Sequence, residues 1–521
     1  MESIKYLFLV FYGLASLGLF LYGMNCYVML WLYFRSSKRE ARSNEDFLTQ
    51  FRATKTDADL PRVTTQLPIY NERFVVDRLI RSVVDLDYPR DRHEIQVLDD
   101  STDDTSSLVA ALVERYRSEG VNIVQLTRED RSGYKAGALN EGMAVADGEF
   151  LAVFDADFAP PPDFLRQTVP FFFEDEKIAM VQTRWGHLNR DYSLLTQAQS
   201  VGIDGHFVIE QGARTWQGLF MNFNGTAGIW RKKSILDAGG WQADTLTEDL
   251  DLSYRVQLSG WKMKYLANIV TPAEIPVDIN GLKSQQHRWA KGSIQTALKV
   301  LPQVFRSPVS LFKKMEAVFH LTHYMIHPLM LTVAVFAYPA LMLNSHDVSR
   351  SLFVVTGSFL ILSTFSPSIL YLCSQKVAYR DWLRRVMILP ALITIGVGIA
   401  VNNTKAVIEA LTGQESGFVR TPKYGIEGRA GRIDRSDEPG GVQKLGKRGR
   451  VYRISPRFTF VLELALGVYG FFTLIQYGLA GKWVVLPFLL INASGFSTVG
   501  LLSLVHWWRS QPTEPELLTA P

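Results

Sequence analysis

Only two cysteines occur in the 521 residues, Cys26 and Cys373, and both sit in apolar runs. Neither a disulfide framework nor a thiolate metal site is expected from so few. Charge is scarce as well: 20% of residues are charged against 47% hydrophobic, and the formal net charge is +4. That balance leans toward a membrane protein, and the small positive charge matches basic cytosolic loops better than a nucleic-acid surface. The middle of the chain lacks any run of the roughly 20 apolar residues that a bilayer crossing needs. The two ends do not lack them. Uncharged sequence extends from Tyr6 to Phe34, and apolar runs recur from Val318 almost to the C-terminus.

The first run is too long for the apolar part of a signal peptide and is followed by Arg35, Lys38 and Arg39 instead of a small-residue cleavage site. It reads as a retained anchor. The basic residues behind it put residues 36–300 in the cytosol, at the inner membrane if the source is bacterial. Candidate spans follow at 318–343, 351–374, 386–411, 457–480 and 483–507. The third lies between two basic segments and carries Asn402, Asn403, Lys405 and Glu409, costly groups for an isolated span. It is expected to be interfacial or re-entrant, giving five crossings in all; a sixth span lined by polar residues is the alternative. The expected organisation is an anchor at 1–35, a linker at 36–60, a catalytic domain at 61–300 ending in interfacial helices, and two spans plus the interfacial element at 301–412. A cytosolic loop and basic linker at 413–455, two spans at 456–508 and a cytosolic tail at 509–521 complete it.

From Pro61 the pattern alternates short β-rich runs with helices, which predicts an α/β domain whose sheet is mostly parallel. Residues 62–67, 94–98, 121–126 and 149–154 read as strands. Val76, Leu79, Ile80, Val83 and Val84 share one face of a helix, and another helix starts at Lys135. The acidic residues Asp99, Asp100, Asp155 and Asp157 then fall just past the carboxyl ends of strands, where open α/β sheets bind ligands.

Those residue types have a shared chemistry. Asp155 and Asp157 can present carboxylates to one Mg²⁺ or Mn²⁺ that also takes diphosphate oxygens, although an Asp-x-Asp on its own is more often a solvated turn. Lys135 follows Gly133 at a helix start, where positive potential favours phosphate; an ordinary helix start is the plainer account. Pro68, Tyr70, Asn71 and Glu72 leave the first strand and, with Asp99 and Asp100, can hold a base and a ribose, or simply cap helices. Asp249, beside Glu248, suits a general base that takes a proton from a sugar hydroxyl, and a capping pair is the alternative. Gln285-Gln286-His287-Arg288-Trp289 supplies a guanidinium fork for diphosphate and an indole to stack on a sugar ring.

Taken in order, Asp99-Asp100, Asp155-x-Asp157, Thr247-Glu248-Asp249 and Gln285-x-x-Arg288-Trp289 resemble the signature of glycosyltransferase family 2, in its cellulose synthase-like membrane members. Gly133 to Leu139 and Phe223 to Arg231 are most similar to the mannan and glucomannan synthase-like branch and its bacterial relatives. The resemblance implies a cytosolic GT-A (Rossmann-like) domain with a mixed, mostly parallel sheet, beside an α-helical transmembrane region. It implies an inverting hexosyltransferase with a nucleotide-sugar donor, UDP-glucose or GDP-mannose, and a Mg²⁺ or Mn²⁺ ion at Asp155 and Asp157. Asp99 and Asp100 would lie at the nucleotide; Lys135, Gln285 and Arg288 at the diphosphate; Asp249 would be the base; and Trp289, Asn224, Gly225 and Thr226 would face the acceptor. Phe418, Thr421 and Lys423 are similar to a Phe-x-Val-Thr-x-Lys gating loop, with Arg420 in place of its valine. The leading expectation is processive extension of a β-linked, cellulose- or glucomannan-like polysaccharide. A non-processive glycolipid hexosyltransferase is the alternative, and an inactive scaffold subunit a lesser one. The implied partners are a glycan or lipid acceptor, the lipid bilayer, and export or assembly proteins; the short tail after Trp508 is not expected to hold a cyclic-dinucleotide receptor.

Overall fold

The computed structural model describes residues 2–343, 350–414, 421–428 and 459–509; Phe418 and Arg420 lie outside them. Seven strands form one sheet: β1 (Val63–Ile69), β2 (His93–Asp99), β3 (Ile123–Thr127), β4 (Phe150–Val153), β5 (Ile178–His187), β6 (Gly228–Arg231) and β7 (Lys262–Ala273). Their order is β3-β2-β1-β4-β6-β5-β7. β3, β2, β1 and β4 are parallel neighbours, β6 runs antiparallel to β4 and β5, and β5 and β7 are parallel. This is a mixed, mostly parallel sheet, as expected for a GT-A domain. The last three strands were not foreseen.

Both faces of the sheet are covered, so its central strands bury nearly every side chain. Val63, Leu67, Val97, Phe154 and Phe164 pack on one face. Leu98, Leu139, Val153, Trp230, Leu252 and Tyr265 pack on the other. Several polar side chains caught between the layers pair with one another, since an unmet buried donor costs about 1–3 kcal/mol: Gln66 Nε2 donates to Gln96 Oε1 at 3.1 Å, and Thr65 Oγ1 meets His93 Nε2 at 2.8 Å. The helix Val76–Val84 buries Val76, Leu79, Ile80 and Val83, the face its spacing defines.

The stretch read as a linker at 36–60 is mostly helix. A single helix, Glu2–Thr54, continues the anchor into the catalytic domain. No glycine or proline interrupts residues 35–54, and Phe47 and Phe51 pack on Phe171 and Phe173, each pair with ring centroids 5.3 Å apart. Tertiary packing thus stabilises what local polarity alone would leave uncertain.

Among the described residues, five helices are long and apolar enough to cross a membrane: Val10–Thr54, Leu311–Met342, Gly357–Ala378, Thr459–Leu479 and Trp483–Trp508. A sixth candidate, Trp382–Gly398 with Ala400–Leu411, is bent by 43°. Asn402, Asn403 and Glu409 on it are buried against protein, while Lys405 is exposed. Asn402 Nδ2 donates to Lys283 O at 2.9 Å, and Asn403 Nδ2 lies 2.9 Å from His327 Nε2. Both partners belong to neighbouring helices, so the amides are satisfied without reaching lipid.

Candidate active site

A cavity of about 190 Å³ opens at the carboxyl ends of β1, β2 and β4. Its floor is built from loops that glycines allow to come close. Lys135, in the first turn of the helix Tyr134–Val145, donates to Asp155 Oδ1 and, at 2.8 Å, to the Gly225 carbonyl. The Asp155 N–H donates to Thr226 Oγ1 at 2.9 Å, which fastens the loop after β4 to the loop before β6. Gly225 has φ +81°, and a Cβ there would lie 2.9 Å from Asp249 Oδ2. Only glycine meets both demands.

Asp249 stands in the first turn of the helix Glu248–Leu258. Burial and the neighbouring Glu248 carboxylate push its pKa up to about 7, against the pull of Lys135. The turn that carries it is seated on the long helix Ile279–Arg306: the Leu246 N–H donates to Gln295 Oε1 at 3.0 Å, and Thr247 Oγ1 meets Thr296 Oγ1 at 3.1 Å. Gly292 is the contact point, since a Cβ there would fall 2.5 Å from Thr247 Cγ2 and 3.0 Å from the Leu246 carbonyl carbon. One turn earlier, Arg288 and Trp289 line the same cavity as Asp249. Burial lowers the pKa of Arg288, opposed by the carboxylates of Glu248, Asp155, Asp249 and Asp157. The helix is held from behind by Glu409, whose Oε2 lies 3.0 Å from His287 Nε2 and 3.4 Å from Lys291 Nζ.

Asp155 and Asp157 both line the cavity. Burial raises the pKa of Asp155, with Lys135 opposing; the same burial would lower the pKa of Lys135, but Asp155 and Glu248 outweigh it and the net shift is upward. Asp157 Oδ2 pairs with Lys423 Nζ at 2.6 Å. Each carboxylate thus faces an ammonium. Two hard-oxygen donors on one loop suit Mg²⁺ or Mn²⁺, which bind through one or two carboxylates plus substrate phosphates and water. Among the described residues no group of three or more His, Cys, Asp or Glu side chains could hold a metal, so the remaining ligands would have to come from the donor and solvent.

At the other end of the cavity the Arg131 guanidinium lies over Tyr70, 3.2 Å from the ring centroid. Asp100 accepts the fork of Arg128, at 2.9 Å from Nε and 2.5 Å from Nη2. Pro68, Tyr70, Glu72 and Asp100 line the cavity, as do Asn224, Gly225, Glu248, Gln285, Thr421 and Lys423. Three expected residues do not. Asp99 is turned away by strand alternation and accepts from Gln125 Nε2 at 2.8 Å and the Ser101 N–H at 3.0 Å. Asn71, at φ 56°, braces the next loop by accepting the Thr102 N–H at 2.8 Å. Thr226 is buried behind Asp155. Sequence reasoning missed Arg131 as the cover of Tyr70, and Thr247, His187 and Glu274 as lining residues. The last two sit at the ends of β5 and β7, strands the pattern did not disclose.

Residues 61–292 match the family described as Glycosyltransferase like family 2. Glucomannan 4-beta-mannosyltransferase 1 of Oryza sativa subsp. japonica is 41% identical over 288 residues, 54% of this chain and 55% of that one. Glucomannan 4-beta-mannosyltransferase 7 of Arabidopsis thaliana is 34% identical over 450 residues, covering 85% of this chain and 77% of its own length. Against the first of these the chain spans about half the relative's length. Mannosyltransferase PcManGT from Pyrobaculum calidifontis, solved in complex with GDP-Man and Mn²⁺, is 18% identical over 78% of this chain and 100% of that one, with a TM-score of 0.49.

Proposed function

The chain belongs to glycosyltransferase family 2, among its cellulose synthase-like, glucomannan synthase-like members, and we propose that it transfers mannose from GDP-mannose to a growing β-linked mannan or glucomannan. The observation that carries this reading is the convergence of Asp155, Asp157, Asp249, Arg288 and Trp289 on one cavity. The mannosyl donor is favoured over UDP-glucose by the activity named for both plant relatives.

In this reading Asp249 takes the proton from the acceptor hydroxyl. The hydroxyl oxygen forms a bond to the anomeric carbon as the bond to the diphosphate breaks, inverting that centre. A carboxylate with a pKa near 7 is well matched to this task near neutral pH. Arg288 and Lys135 hold the departing diphosphate, while Trp289 offers an apolar face to the acceptor sugar. Asp155 and Asp157 would hold the divalent cation, which when bound supplies Lewis-acid stabilisation of the negative charge on the leaving group. The Tyr70–Arg131 stack and Asp100 form the end suited to a base and ribose.

Purified full-length protein, given radiolabelled GDP-mannose or UDP-glucose, tests the reading. The expected product is an insoluble, mannanase-sensitive polymer from GDP-mannose. Label extracted into organic solvent would mean a glycolipid instead, and no incorporation from either donor would mean that the chain is not a synthase.

A further inference from the structure

Glu274 is the first residue after β7 and is almost wholly buried at the cavity edge. Buried carboxylates need partners, and this one has an unusual set. Its Oε1 accepts the Tyr424 N–H at 2.8 Å, and its Oε2 accepts the N–H groups of Gly425 at 3.0 Å and Ile426 at 3.2 Å. Three successive backbone donors folded around one anion form a concave nest. Gly425 supplies the left-handed turn that the nest requires, at φ +71°. Arg78 balances the charge, with Nη2 3.4 Å from Glu274 Oε2 and Nη1 3.2 Å from Glu427 Oε1.

The main chain of Glu274 is engaged too. Its carbonyl accepts from Lys423 Nζ at 2.5 Å, and its N–H donates to the Asp157 carbonyl at 3.0 Å. Arg78 Nη2 reaches that carbonyl as well, at 3.3 Å. One residue therefore holds two segments that are far apart in sequence: the loop carrying Asp155 and Asp157, and the strap at 421–428. The consequence is the 2.6 Å pair between Lys423 and Asp157.

We infer that Glu274 is a positioning residue: its side chain clasps the strap in a backbone nest and so delivers the Lys423 ammonium to the end of the cavity where the donor diphosphate would lie. This rests on the donor reading above for what Lys423 meets, but the clasp itself does not. Removing the carboxylate charge leaves three N–H groups with a neutral partner, and the amide of a glutamine would turn a donor toward donors. The strap then loses its dock while the sheet keeps its core.

Hydrogen exchange followed by mass spectrometry on the full-length protein, with donor KM measured in parallel, tests this. In Glu274→Gln the amides of residues 424–426 are expected to exchange at least about tenfold faster, the fold-change equivalent to about 1.4 kcal/mol of lost protection. Peptides from β4 and from the helix Glu248–Leu258 should be unchanged, which verifies the fold. Gly425→Ala approaches the clasp from the other side: a Cβ there would lie 2.7 Å from the Phe74 carbonyl oxygen, and the same exchange pattern is expected without touching Glu274. Donor KM should rise several-fold in both, and adding Lys423→Met to Glu274→Gln should raise it no further. Strap amides that stay protected in both variants would overturn the clasp, and KM losses that multiply in the double variant would overturn the delivery of Lys423. Absence of turnover in the wild type with any nucleotide sugar would sink the donor reading while leaving the exchange result to judge the clasp.

Discussion

At the scale of single residues, the proposed chemistry depends on Asp249 and on the glycines that let it reach the cavity. Asp249→Asn keeps the shape and removes the base, so kcat should fall by about 10²–10⁴-fold with a smaller change in donor KM. Steady-state kinetics on the purified variant check this. A carboxyl whose pKa is raised to about 7 is protonated, and idle as a base, below that pH. The kcat/KM profile should therefore rise with pH through about 7, and a profile flat from 5.5 to 8.5 would count against Asp249. Gly292→Ala is a sterner test of architecture. Its methyl would collide with Thr247 and with the Leu246 backbone, so it should cost about 1–3 kcal/mol of overpacking strain and separate Asp249 from Arg288, lowering both melting temperature and kcat.

At the scale of elements, the helix Ile279–Arg306 joins the cavity to the membrane region. Lys283 on this helix pairs with Glu463 on the helix Thr459–Leu479, at 2.7 Å and 3.0 Å to the two carboxylate oxygens, with both side chains essentially buried. Breaking such a pair from one side costs about 3–5 kcal/mol, whereas replacing both members by apolar residues is often neutral. Glu463→Gln should therefore lower the melting temperature in detergent, and Lys283→Met with Glu463→Leu should restore most of it. A double variant as unstable as the single one would contradict this account of the joint.

The elements also explain what the sequence disclosed and what it hid. Residues 76–84 announce a helix because apolar positions recur on one face, and β2 and β4 are legible because their apolar residues lead straight into aspartates. β6 has only two apolar residues, Ile229 and Trp230, between Gly228 and Arg231, and β5 and β7 mix charged or polar residues with apolar ones across register shifts, so neither alternation nor a clean run marks them. The site followed the same division. Asp155, Asp249 and Arg288 were legible because their chemistry is tied to short motifs. The roles of Glu274 and Arg131 depend on partners far away in sequence, Tyr424 to Ile426 and Tyr70, which no local pattern reveals. Asp99 misled because strand alternation, not residue type, decides which of two adjacent carboxylates faces the cavity.

At the scale of the whole molecule, the bent pair Trp382–Gly398 and Ala400–Leu411 is braced against the helix that carries Arg288 and Trp289. On the orientation inferred from the basic residues after the anchor, protease added to sealed inverted vesicles should cut the catalytic domain, and protease outside intact cells should spare it. Chelation tests the carboxylate pair. Excess EDTA should abolish transfer and Mn²⁺ or Mg²⁺ should restore it, while activity that survives EDTA would remove the cation from the scheme. The most direct measurement is a cryo-EM map of the full chain with Mn²⁺ and a non-transferable GDP-mannose analogue. The expected map has the diphosphate between Asp157 and Arg288, with the anomeric carbon turned toward Asp249. Density for the nucleotide anywhere else, with those three side chains left uncontacted, would contradict the proposed site.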